Sequence, residues 1–306
     1  MLIEAVILLF GGDESAMSLS AKHADPGRGR SSAVRSILHP TDLSELSGVA
    51  LAHALRISLA AKSKLHLLHV SSHDAHAIAA FPDVRRVLAQ WGLSNEDDAP
   101  STIASKLGIE VDHTHVRRQE PVQGILNFLG QAECDLMVLA TRGGGGFDHW
   151  LRGSVSEIAS RHSAVPTLFI TSRARGFVDQ ITGAVSIKRV LVPIASSPPP
   201  GKAVNAVHRM TRLLTGGAHY IVHFLHVGRS PPVLRLKTKG RSSVPRVIVR
   251  SGNVPSKIVD AAIEFEIDFI AMPTAGRRGV LDALRGSTTE RVIRHAPCPV
   301  FAVPSS

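Results

Sequence analysis

Two pairs of glycines, set at one spacing, are the residues of this chain best suited to chemistry. Gly143 is followed after nine residues by Gly153-Ser154, and Gly276 is followed after nine residues by Gly286-Ser287. Glycine lets backbone N–H groups approach an anion closely and reach positive φ. A Gly-Ser pair that opens a helix adds unpaired N–H donors and the positive end of the helix dipole. Each cluster is therefore a phosphate cradle in outline. Ser154 and Ser287 also precede Glu157 and Glu290 by three residues. That is the capping-box arrangement, so each serine can cap a helix, hold phosphate, or do both. No Walker-type lysine and no general base accompany either loop. The chemistry implied is anion binding without catalytic residues, with at most slow hydrolysis of the bound phosphate.

Other polar residues are weaker candidates. Asp42 ends the run His39-Pro-Thr-Asp42 between a strand and a helix, where it can serve the turn or reach a ligand. His66 and His69 are an odd number of residues apart on a predicted strand and point to opposite faces, which argues against a shared metal. His73 and His76 continue that series. His113 and His115 share a face but have no evident third ligand, and we expect no zinc. Cys134 and Cys298 match no metal or redox spacing and read as structural thiols of a reducing cytosol.

The elements that position these residues come from an internal repeat. The segment from Val34 to Asp42 matches that from Ile187 to Ala195. Leu-His-Val at 68–70 matches Leu-His-Val at 225–227, and 135–141 matches 268–274. In each half, short apolar runs alternate with helical patterns. The runs 36–39, 66–70, 136–140 and 167–170 read as buried parallel strands, and 44–61 as an amphipathic helix. Strands alternating with helices imply a doubly wound, mostly parallel sheet in each half. The scarcity of aromatics, 4%, leaves cores of Ala, Val, Ile and Leu, which suit sheets covered on both faces. We place a flexible N-terminal extension at 1–33, a first domain at 34–172, a linker at 173–185 and a second domain at 186–306. The second domain is shorter: where the first shows a helix near 84–91, it carries the proline-containing stretch 229–250, which disfavours a regular helix.

These motifs resemble those of the universal stress protein family. Its ATP-binding members carry Gly-x-x-Gly, nine residues, then Gly with Ser or Thr. Both halves keep the last two glycines, the serine and the spacing, and both lack the first glycine, replaced by Ala140 and Pro273. The likeness extends to Pro40-Thr-Asp42, to His69-Val70, and to the tails 162–166 and 295–299. The resemblance implies two tandem five-stranded domains of the adenine-nucleotide α-hydrolase-like fold, packed as a pseudo-dimer through their final strands. It implies that Pro40, Thr41, Asp42 and Val70 line an adenosine pocket. It also implies that Ala140, Arg142, Gly143, Gly153, Ser154, Val155 and Ser156 lie at the phosphates of ATP, with Mg as a companion cation. In the second half Ala195 stands at the Asp42 position, and Pro273 lacks an N–H, so that site is degenerate.

Two rival readings stay open: a ligand-free scaffold of the same fold that regulates a protein partner, and a polyanion binder. Residues 1–185 carry 17 Lys+Arg and 19 Asp+Glu, whereas 186–306 carry 18 and 6. Seven of those basic residues lie in 229–250 with no acidic one, which suits an acidic protein or polyanion by charge alone. The stretch has no aromatic side chain for stacking bases. No run reaches the about 20 apolar residues a membrane span needs, and we expect a cytoplasmic protein. The duplication leaves room for a homodimer of the whole chain, and translation could start at Met1 or Met17.

Overall fold

The computed structural model describes residues 34–71, 81–118, 120–141, 165–238, 241–275 and 288–305. The first half runs through β1 (Ser36–Thr41), α1 (Glu45–Ala61), β2 (Lys64–Ser71), α2 (Val84–Gln90), α3 (Pro100–Leu107), β3 (Glu110–Arg117), α4 (Pro121–Gln131), β4 (Leu136–Thr141) and β5 (Thr167–Thr171). The second half begins with β6 (Arg189–Pro193), α5 (Gly201–Thr215) and β7 (Ile221–Val227), followed by the hairpin β8 (Leu236–Thr238) and β9 (Arg241–Ser243). It closes with β10 (Val247–Arg250), α6 (Val254–Glu264), β11 (Phe269–Thr274), α7 (Thr288–His295) and β12 (Val300–Pro304).

Ten strands form one sheet in the order β3-β2-β1-β4-β5-β12-β11-β6-β7-β10. Each half contributes five parallel strands, and the halves meet through the antiparallel pairing of β5 with β12, Phe169 opposite Val300 and Leu168 opposite Phe301. The two expected five-stranded, doubly wound units form, and the pairing of their last strands merges them into one sheet. In the second half β8 and β9 stand where the first half places α2, as the prolines of that stretch require.

The inner strands are apolar on both faces because helices cover both. Ile37, Leu65, Leu67, Val138 and Ile170 face α1, with Val190 and Phe269 continuing that layer under α5. Leu38, Leu68, Leu139 and Phe169 face α4 on the other side, and Ile258, Val292 and Val300 extend it under α6 and α7. Both layers run unbroken from one half into the other.

The duplication also repeats its polar fastenings. Asp135, just before β4, accepts from the N–H groups of Arg35 and Ser36 at 2.8 and 3.1 Å. Asp268, just before β11, accepts from Lys188 and Arg189 at 2.6 and 2.8 Å. Each carboxylate satisfies the amides that open the central strand of its half, so these repeated acids hold the sheet together.

Residues 173–186 run between the halves as a compact loop: Val178 bridges Val185, and Ser186 N–H donates to the Phe177 carbonyl. The His53 Nε2 atom on α1 accepts from Phe177 N–H at 3.1 Å and Val178 N–H at 3.3 Å. Trp91 Nε1–H, at the end of α2, donates to the Gln180 carbonyl at 2.9 Å. Gly183 adopts φ 67° against the face of Trp91, where an added Cβ would lie 2.5 Å from the ring.

Candidate functional site

In the first half β1 is flanked by β2 on one side and by β4 on the other. The chain therefore leaves β1 in one direction and returns to its far side, which opens a crevice at the carboxyl ends of these strands. Pro40 and Thr41 end β1, Val70 lies one residue from the end of β2, and Ala140 one residue from the end of β4. The parallel register sets Thr41 beside His69, and these strand ends gather the described members of the expected site. Arg142, Gly143, Gly153, Ser154, Val155 and Ser156 lie outside the described residues, as do Gly276, Gly286 and Ser287.

The turn from β1 into α1 is fixed by its polar residues. Leu43 takes φ 63°, and its N–H donates to Thr41 Oγ1 at 3.0 Å. Asp42 Oδ1 accepts from the Ser44 N–H at 3.0 Å and from the hydroxyls of Ser44 and Ser47. Ser44 is the N-cap of α1 and accepts from Ser47 N–H. One carboxylate oxygen of Asp42 is thus committed to the turn.

Val70 lies against α4. A Cβ added to Gly124 would come 2.7 Å from Val70 Cγ1, so only glycine lets the helix approach that closely. At the end of β4 the Thr141 side chain is buried, and Thr171 lies beside it in register on β5. The Oγ1 atoms of Thr141 and Thr171 have no hydrogen-bond partner among the described residues, and Thr274 repeats the Thr141 arrangement in the second half. A buried hydroxyl without a partner is costly, and a polar ligand at the strand ends would relieve it.

The structure adds a residue the motif left out. His69 Nδ1 lies 2.9 Å from the Thr41 carbonyl, and His226 Nδ1 lies 3.0 Å from the Ile194 carbonyl. A carbonyl only accepts, so Nδ1 carries the hydrogen in both rings. The repeated Leu-His-Val tripeptide was the sequence signal for this device: each histidine fastens the second strand of its half to the turn after the first. His69 also stacks on His115, with ring centroids 5.8 Å apart, while His115 Nε2 and Ser71 Oγ are 3.0 Å apart. His66 packs against Phe128 on the opposite face, as the strand period requires. Among the described residues no three His, Cys, Asp or Glu side chains form a metal-binding group.

The second half differs at the matching place. Pro193, Ile194 and Ala195 replace Pro40, Thr41 and Asp42, and the chain continues through a cis Ser197–Pro198 bond into Pro199 and Pro200. Pro200 caps α5 with no side-chain hydrogen bond, where the first half uses the Asp42, Ser44 and Ser47 network. The Thr41 hydroxyl and the Asp42 carboxylate therefore have no counterpart at Ile194 and Ala195.

Comparison with known proteins agrees with this geometry. Universal stress proteins of Mycobacterium bovis and Mycobacterium tuberculosis are each 25% identical over 248 residues, covering 73% of this chain and 85% of theirs. A universal stress protein of Archaeoglobus fulgidus superposes with a TM-score of 0.56 at 22% identity, covering 89% of this chain and 97% of its own. A protein of unknown function from Pseudomonas aeruginosa gives a TM-score of 0.57 at 16% identity, covering 89% and 93%. The universal stress protein family matches residues 33–171 and again 186–304, and with both halves matched the chain belongs to that family.

Proposed function

We propose that this stress-response protein binds an adenine nucleotide, ATP with Mg2+, in its first half. The observation that carries the reading is the crevice at the ends of β1, β2 and β4, together with a glycine segment, 143–146, that begins two residues after Thr141 in the sequence. The residues there suit the ligand. Thr41 and Asp42 offer polar contacts to a nucleoside, the strand ends offer backbone groups to a base, and the Thr141 hydroxyl has no partner among the described residues. The metal would be held by the phosphates and Ser154, and it would neutralise their charge. In the second half Ala195, the prolines of the turn and Pro273 support a degenerate site. The test is isothermal titration with ATP and Mg2+, repeated on Gly153→Glu. We expect one site per chain, lost in the variant; no heat in folded, nucleotide-free protein would instead favour the scaffold reading.

A second contact surface is proposed on charge. The stretch 229–250 forms the β8–β9 hairpin and the edge strand β10, and it carries seven basic residues without an acidic one. An acidic protein or polyanion bound there would show salt-dependent affinity. Reversing Arg235, Lys237 and Lys239 to Glu should abolish binding to heparin at low salt, and unchanged binding would dismiss this surface. Cytoplasmic residence fits the two unpaired cysteines, whose thiols burial pushes up. Among the described residues no helix is long and apolar enough to cross a membrane.

A further inference from the structure

A cavity of about 540 Å3 lies between α2, α3 and β3; none of Pro40, Thr41, Asp42, Val70 and Ala140 lines it, and its Phe81 wall meets His69 edge to face, with centroids 6.2 Å apart. Its size falls within the range of small-molecule sites, on the order of 300–1,000 Å3. Phe81, Val84, Ile103 and Ile109 line it and are otherwise buried, so its inner wall is apolar. Asp83, Arg85 and His113 are exposed and mark the rim.

From the chemistry of this lining we infer that the cavity binds a neutral, flat aromatic molecule of one or two fused rings. Three features select that class. Phe81 and His113 meet edge to face with centroids 5.1 Å apart, a geometry that a further ring extends by stacking. The rim charges answer one another: Asp83 Oδ1 accepts from the Arg85 and Arg86 N–H groups and lies 3.5 Å from Arg85 Nε. A charged ligand would enter an apolar wall with no unmatched charge to receive it, at a desolvation cost. The His113 imidazole supplies one polar contact at the mouth, enough to orient a ring N–H or carbonyl.

Indole is the probe, titrated calorimetrically into the full chain, with indole-3-carboxylate as its charged counterpart. The expected result is saturable binding of one indole per chain, at least about tenfold weaker for the carboxylate. Saturating ATP should leave it unchanged, which separates this cavity from the nucleotide reading. Ile103→Trp fills the cavity and should abolish binding. His113→Ala removes the rim imidazole together with its contact to Phe81, and in protein whose thermal melting shows the fold kept it should weaken binding about tenfold. Absence of saturable heat, displacement of indole by ATP, or indifference to His113→Ala would each overturn the assignment.

Discussion

His53 lies on α1 with no exposed surface, its Nδ1–H given to the Val49 carbonyl at 2.8 Å and its Nε2 accepting two amides of the inter-half loop. A protonated ring could not accept those bonds. Burial pushes the His53 pKa down to about 4, and burial does the same to His39 on β1. The folded state thus holds both rings neutral, while an unfolded chain takes up protons below about pH 6.5. Stability is full above that pH and falls as pH drops toward 4, by roughly 1–3 kcal/mol for each ring. Urea denaturation at pH 7.5 and pH 5 should show the loss, and His53→Gln, which can still accept, should remove about half of it and leave the His39 share. A variant with the wild-type pH slope would remove His53 from this account. Gly176 belongs to the same contact, since a Cβ there would stand 2.5 Å from His53 Cε1.

Among the elements, α4 couples packing to the candidate site. It rests on β2 through the contact between Gly124 and Val70, and Val70 stands at the crevice. Gly124→Ala should push Val70 off its position, costing about 1–3 kcal/mol of stability. The same shift should weaken ATP binding several-fold by titration, and adding Val70→Ala should restore part of the stability. If affinity is unaffected while stability falls, Val70 has no part in the site. The elements also mark where the sequence is legible. Apolar runs announce β1, β2, β4 and β5, because buried parallel strands cannot hide their hydrophobicity. The strand β3 escapes that reading: Glu110, Asp112, His113 and His115 give it the polar texture of a sheet edge. The order of 173–186 is equally hidden, since its backbone amides and a carbonyl are held by His53 and Trp91, which lie far away in sequence. The glycine spacing points to the crevice. The role of His69 emerges only when register sets it beside Thr41.

For the whole molecule the seam between β5 and β12 decides how the chain unfolds. Phe169 is fully buried there, opposite Val300, within a layer that runs through both halves. Phe169→Ala should cost about 3–5 kcal/mol. Because neither half can expose its side of the seam without uncovering the other's core, calorimetry should show one transition before and after the change. Two separable transitions would mean that the halves are independent folding units. The seam has another consequence, for assembly. Two separate chains joined along such strands would come apart on dilution and could exchange partners. Here the joined strands belong to one chain, so their local concentration is set by the 128 or so residues between them and never by expression level. A half with a complete β1 turn is therefore always mated to a half without one, in a fixed ratio that neither dilution nor a related protein in the same cell can alter.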